Sequence, residues 1–192
     1  IALGLGTWFW GIPWISKAAA AYTPHSWLVL LDDETLEFLD ENFLAKTKLP
    51  IARQQQLTRH FQKVATLAQQ PHAKLLYRSG DKIGANALAL PAGTIVITDE
   101  LVELAENDNE IMAVVAHELG HVHHRHGMQG MIQSSLITTL TSLWLGDISS
   151  VLATAPALLT TAKYSRSLET EADDYGAQLV LRQGQSPMLL AT

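Results

Sequence analysis

The chain has 192 residues, the size of one domain with room for a short appendage. Hydrophobic residues make up 47% and charged residues 17%, which excludes a disordered chain, and 13 Lys+Arg against 19 Asp+Glu leave a net charge of −6, with no basic surface for nucleic acid. The absence of cysteine removes disulfide scaffolds, thiolate metal sites and cysteine nucleophiles, so any metal must be held by histidine and carboxylate.

Residues 1–16 carry no charge, are rich in tryptophan and end at Lys17. As a helix they span only about 24 Å, short of a bilayer core of about 30 Å. The chain begins at Ile1 and so reads as a piece of a longer polypeptide. Residues 1–22 are expected to be the end of a transmembrane or membrane-anchoring segment, with Trp8, Trp10 and Trp14 near the headgroups. Residues 23–192 are then the folded domain, with its C-terminus cut short. The competing reading makes 1–16 a buried N-terminal arm. Farther on, residues 27–45 read as an acidic helix, and after Pro50 a second helix places Leu57, Phe61, Val64 and Leu67 on one stripe. Residues 73–78 and 83–90 read as strands around the Ser79-Gly80-Asp81 turn, and Thr94–Thr98 as another. From Asp99 onward the pattern is helical. Within that part, the nearly uncharged tract 131–162 reads as a buried helical hairpin or as a flap over a cleft or membrane. The fold class is α+β, mostly helical, with a small sheet.

The informative stretch is residues 109–127, which contains His117-Glu118-Leu119-Gly120-His121. On a helix the two histidines lie about 40° apart and one turn apart, so both imidazoles can reach one zinc ion. Glu118 stands beside them, placed to take a proton from metal-bound water. Ile111, Val115, Leu119 and Val122 form a separate apolar stripe. Five of the eight histidines fall within 117–126. His124 lies near the face of His117 but two turns away, too far to share an ion. His126 projects to the apolar side as a packed, hydrogen-bonded histidine, and His123 is solvated.

A zinc protease site needs a third protein ligand and an open fourth position. The metzincin pattern would want Gly at 124 and His at 127; the chain has His124 and Gly127, so that class is rejected. A gluzincin takes a Glu from a later helix, and residues 164–180 supply Glu169, with Asp173 four residues on and on the same face. Glu169 can ligate the metal while Asp173 hydrogen-bonds a ligand histidine and fixes its tautomer. Glu171 lies about 200° around the helix from Glu169, so the two cannot both face the site. Ala172 and Gly176 are small enough to let this helix pack closely on the HELGH helix.

Three stretches in this order, NALALPAGTIVITDELVELAENDNE, HELGHVHHRHG and YSRSLETEADDYG, resemble the Ste24/HtpX/BepA-like zinc metalloprotease family. The likeness runs from about Leu75 to Leu181. It implies a zincin-like gluzincin domain with one zinc per chain held by His117, His121 and Glu169, with Glu118 as general base and Asp173 behind a ligand. It also implies that the stretch from Asn86 to Pro91, Asn86 and Ala87 above all, is an edge strand beside the metal to which an extended polypeptide substrate adds. Members commonly carry a further His or Arg after the third ligand to stabilise the oxyanion; no clear candidate stands between Glu169 and Thr192. The N-terminal stretch resembles that of bacterial members with a membrane helix just before the protease domain.

The expected function is therefore zinc-dependent endoproteolysis of unfolded or damaged proteins at the bacterial cell membrane or envelope. The alternative is a zincin-fold chaperone or binding module whose metal site is covered or structural, an idea motivated by the 131–162 tract.

Overall fold

A computed structural model describes residues 11–145 and 165–190. Helix α1 (Ile12–Tyr22) has Pro13 in its first turn, where a missing N–H costs nothing, and α2 (His25–Asn42) starts directly after Pro24. Strand β1 (Ala45–Lys46) follows, then α3 (Ile51–Leu67), β2 (Lys74–Ser79), β3 (Ala87–Ala89) and β4 (Thr94–Thr98). The remainder is helical: α4 (Asp99–Leu104), α5 (Asp108–His123), α6 (His126–Leu145), α7 (Arg166–Arg182) and a 3-10 turn at Pro187–Leu190. The architecture is α+β, mostly helical, with one small mixed sheet.

The sheet order is β1-β2-β4-β3. Strand β4 is its centre, parallel to β2 and antiparallel to β3. The strand pair expected around Ser79-Gly80-Asp81 is therefore not a hairpin: β2 and β3 each pair with β4. The connection is held away from pairing because Gly80 donates its N–H to Glu100 at 2.7 Å while its carbonyl accepts from Ile83 at 2.8 Å. The expected strand 83–90 shortens to three residues, and the expected helix 27–45 stops at Asn42. Its last residue, Ala45, opens β1, which pairs antiparallel with Arg78 and Ser79.

Alternation along β4 divides the core. Ile95 and Ile97 face α3, α5 and α7, packing with Leu57, Phe61, Val64, Ile111, Val115, Leu119 and Leu179. Val96 points to the other face and meets Leu39, Leu44 and Leu90 under α2. In α3 the stripe turns onto Ala65 and Ala68 at its end, and the expected core position Leu67 is 39% exposed. Helix α5 is firmly started: the Asn107 side chain accepts from the N–H groups of Asn109 and Glu110, and Glu110 reaches back to the Glu106 N–H at 2.8 Å.

Helix α1 packs on α6. Ile12, Ser16 and Ala20 are buried there, and the Gln133 Nε2 donates to the Ser16 hydroxyl at 3.0 Å. Trp14, Ile15 and Tyr22 are exposed. Among the described residues no helix is long and apolar enough to cross a membrane. Residues 1–10, with Trp8 and Trp10, and residues 146–162 of the 131–162 tract lie outside the described residues; Met131 to Leu145 continue α6.

Candidate metal centre

Helix α5 presents His117, Glu118 and His121, and α7 lies across it with Glu169 and Asp173. Two glycines permit this crossing. A Cβ at Gly120 would stand 2.9 Å from the Ala172 Cα, and one at Gly176 would stand 3.1 Å from the His117 Cα. Only hydrogen at both positions lets the two backbones meet.

The crossing brings three donor atoms to one point. His117 Nε2 and His121 Nε2 are 3.0 Å apart, and Glu169 Oε2 lies 3.5 and 3.8 Å from them. The edge of a tetrahedron whose bonds are about 2.0–2.1 Å long is about 3.3 Å, so these separations fit a single divalent ion. Asp173 Oδ1 lies 2.9 Å from His117 Nδ1. A carboxylate can only accept there, so Nδ1 carries the proton and the Nε2 lone pair is left for a metal. His121 is almost wholly buried. Burial, and then the neighbouring His117, His126 and His124, push its pKa down to about 3, which keeps the ring neutral as a ligand must be.

Glu118 is raised to about 8, first by burial and also by the charge of Glu169, against a hydrogen bond from the backbone of Ala89. That bond ties the carboxyl to β3, the strand at the sheet edge. Asn86 and Ala87 sit at the start of this strand. The Asn86 N–H donates to the Thr98 hydroxyl at 2.8 Å, its carbonyl accepts from the Thr98 N–H at 3.0 Å, and its side-chain oxygen accepts from the Ala87 N–H at 2.9 Å. The structure thus gathers His117, Glu118, His121, Glu169 and Asp173 at one crossing, with Asn86 and Ala87 on the neighbouring strand.

The other histidines are placed by a break that periodicity does not signal. Helix α5 ends at His123, and Arg125, a non-glycine residue, takes a left-handed φ of 57° before α6 begins at His126. The helical stretch expected from Asp99 onward is thus divided here into two helices. The reversal turns His126 back beneath His121, with the two Nδ1 atoms 3.0 Å apart. His126 is fully buried, and its Nε2 lies 3.5 Å from Glu171 Oε2. His124 Nδ1 lies 3.7 Å from the same oxygen. His123 is exposed, its ring stacked on Tyr175 at 4.6 Å. The group of His126, Glu171 and Lys17 went unassigned at the level of sequence. Its one trace there is the run of histidines closing at Gly127.

A helix-borne HExxH pair, a carboxylate from a later helix and an edge strand beside them are the arrangement of a zincin-type metallopeptidase domain. The sequence profile of peptidase family M48 matches residues 51–192, and the chain belongs to that family. It is 33% identical over 114 residues to the metalloprotease LoiP of Escherichia coli K12, covering 56% of this chain and 45% of that protein. It is 32% identical over 108 residues to the mitochondrial metalloendopeptidase OMA1 of Arabidopsis thaliana, covering 56% of this chain and 22% of the relative. To the beta-barrel assembly-enhancing protease of Yersinia pestis it is 29% identical over 120 residues, covering 55% and 24%. The matches thus span less than half the length of these curated relatives.

Proposed function

We propose that this chain is the catalytic domain of a zinc metalloendopeptidase that cuts unfolded or damaged proteins of the bacterial cell envelope. The observation that carries the reading is the convergence of His117 Nε2, His121 Nε2 and Glu169 Oε2 beside a buried Glu118 that is bonded to the edge strand. His117, His121 and Glu169 would hold a zinc ion, which would supply Lewis-acid chemistry for activating water and polarising a carbonyl. Glu118 as the carboxylate takes the proton of the attacking water and passes it to the leaving amide nitrogen, so the proton that burial holds on it in the metal-free chain must first leave. Its tether to Ala89 fixes the carboxyl on the side where a peptide lying along β3 would pass. Asp173 holds the His117 ring in the tautomer that ligates.

The substrate enters as an extended strand, which favours unfolded polypeptide, because edge addition needs free backbone groups. The Ala87 N–H is held by Asn86 Oδ1, so an incoming strand must displace that side chain. Membrane proximity is supported by Trp14, Tyr22 and Trp27, which are 73%, 88% and 67% exposed, a degree of aromatic exposure that suits an interface. On this reading residues 1–22 anchor the domain, and the envelope is where it works.

The test is casein cleavage by the zinc-loaded chain. Activity that vanishes in Glu118→Gln while one zinc stays bound supports the peptidase. One bound zinc with no turnover in the wild-type chain, carrying its natural flanking sequence, would instead identify a binding module.

A further inference from the structure

We infer that His126 is a positioning residue for the metal centre: a relay from Glu171 through His126 to His121 sets which nitrogen of His121 faces the metal. The inference rests on the reading of His117, His121 and Glu169 as a metal site.

Proton accounting along these three contacts gives the following arrangement. His121 Nε2 points at the donor set, 3.0 Å from His117 Nε2. To offer a lone pair there, a neutral His121 must carry its proton on Nδ1. That nitrogen faces His126 Nδ1 at 3.0 Å, so His126 Nδ1 must accept. His126 therefore carries its own proton on Nε2, which points at Glu171 Oε2, 3.5 Å away. The carboxylate end is anchored in turn by the Lys17 ammonium, at 3.2 and 3.3 Å from its two oxygens. The opposite arrangement, with His126 Nδ1 donating, would place the His121 proton on Nε2, where the metal belongs. Asp173 does for His117 what His126 and Glu171 together do for His121.

The same accounting decides against a rival reading. His124, His126 and Glu171 bring three donor atoms within 4.8 Å of one another, enough by residue type for a second ion. In the state that loads the first site, however, His126 Nε2 is protonated and has no lone pair to give. The Lys17 ammonium already lies against Glu171, adding a positive charge where the second ion would sit. The cluster is the end of the relay. The chain builds it through the break at Arg125, whose guanidinium donates to the carbonyls of Ala20 and Thr23 at 2.7 and 2.8 Å and so fixes the turn that carries His126 under His121.

The experiment measures zinc affinity by competition with a chelating indicator, zinc stoichiometry, and the visible spectrum of the cobalt(II)-loaded chain. His126→Phe, which keeps the ring and removes the acceptor, should weaken zinc binding by about 10–100-fold and alter the cobalt bands. His126→Gln, whose carbonyl can accept from His121 Nδ1, should recover most of the affinity. Glu171→Ala should show a smaller loss of affinity, and wild type should bind one zinc. Wild-type affinity and an unchanged cobalt spectrum in His126→Phe would overturn the relay, as would two zincs per wild-type chain falling to one in Glu171→Ala. If the metal-free His126→Phe chain fails to unfold cooperatively, Glu171→Ala decides, because that residue is half-exposed: an unchanged affinity and spectrum there overturn the relay. A wild-type chain that binds no zinc overturns the metal-centre reading itself, an outcome distinct from failure of the relay.

Discussion

The crossing of α5 and α7 makes Gly120→Ala the most diagnostic single change. The added methyl would stand 2.9 Å from both the Cα and the carbonyl oxygen of Ala172. Carbon atoms rest at about 3.5–4.0 Å, so α7 would have to retreat by about 0.6 Å or more. Both obstructing atoms belong to the backbone, and no rotamer change can relieve them. Ala172 is less than one turn from Glu169 on the same helix, so the retreat reaches the carboxylate almost undiminished. Overpacking of this kind costs about 1–3 kcal/mol, which in a chain of this size lowers the unfolding midpoint by about 2–12 °C. A site of this type tolerates displacements of about 0.5 Å, so zinc affinity should fall about tenfold or more and turnover by about 10²-fold. Thermal unfolding of the metal-free chain and chelator competition measure the two effects. Gly184→Ala is the control: nothing lies within 4 Å of it, but its φ of +73° makes a side chain strained, so stability should drop with zinc affinity unchanged. Gly176→Ala, at 3.1 Å from the His117 backbone, should act like Gly120→Ala but more mildly. Wild-type zinc affinity in Gly120→Ala would refute the idea that close helix contact sets the third ligand.

Asp173→Asn should weaken zinc binding by about 10–100-fold with the fold retained, read by chelator competition; equal affinity would make the aspartate ordinary helix surface. Glu118 should give the metal-free chain a stability that declines as pH rises. Its folded pKa of about 8 exceeds its ordinary 4.5, so between those values the unfolded chain has lost a proton that the folded chain keeps. Its contribution is complete below about pH 4.5 and lost through about pH 8. Glu118→Gln should therefore gain on wild type in urea titrations from pH 5 to pH 8, and a constant difference would contradict the shift. Removal of residues 1–23 should leave cooperative unfolding intact, because neither described core cluster includes a residue of α1, although α1 packs on α6 and its Ala20 carbonyl accepts from Arg125. Non-cooperative melting of the shortened chain would make α1 part of the core.

Much of the site was legible because the features that carry it are local. HELGH shows its geometry through the helical repeat alone, and Glu169 and Asp173 share a face by the same arithmetic. Central strand β4 was legible for a related reason: Thr94–Thr98 is a β-branched run bounded by turn residues. What escaped depends on tertiary contact. Strand β1 is two residues long and exists only because Arg78 and Ser79 offer it an edge. The pairing of β2 with β4, which skips β3 in the chain, leaves no periodic trace. The break at Arg125 is a positive φ in a residue with no special licence for it, held by two carbonyls about a hundred positions upstream. The burial expected for His126 came from carrying the helical phase through this break; the structure buries it by the reversal instead, which also makes the contact with His121 that phase could not show.

The last prediction follows from where the three proposed ligands come from. His117 and His121 form a pair on one helix, whereas Glu169 reaches them only when α7 seats on Gly120, so on the proposed reading zinc binding and α5–α7 packing would share one free energy. A ligand that binds only the folded chain stabilises it by about 4 kcal/mol at a thousand times its dissociation constant. For a chain this long that is a rise of about 8–16 °C in the unfolding midpoint. The rise should appear on adding zinc to the metal-free wild type and nearly vanish in Glu169→Ala, which leaves the helix-borne pair intact but cuts the link to α7. Glu171→Ala keeps the link and should retain most of the rise, since on the relay reading this carboxylate reaches the metal centre only indirectly, through His126. A full zinc-induced rise in Glu169→Ala would mean that the metal is held within α5 or elsewhere. In that case the crossing of the two helices would not be what assembles the site.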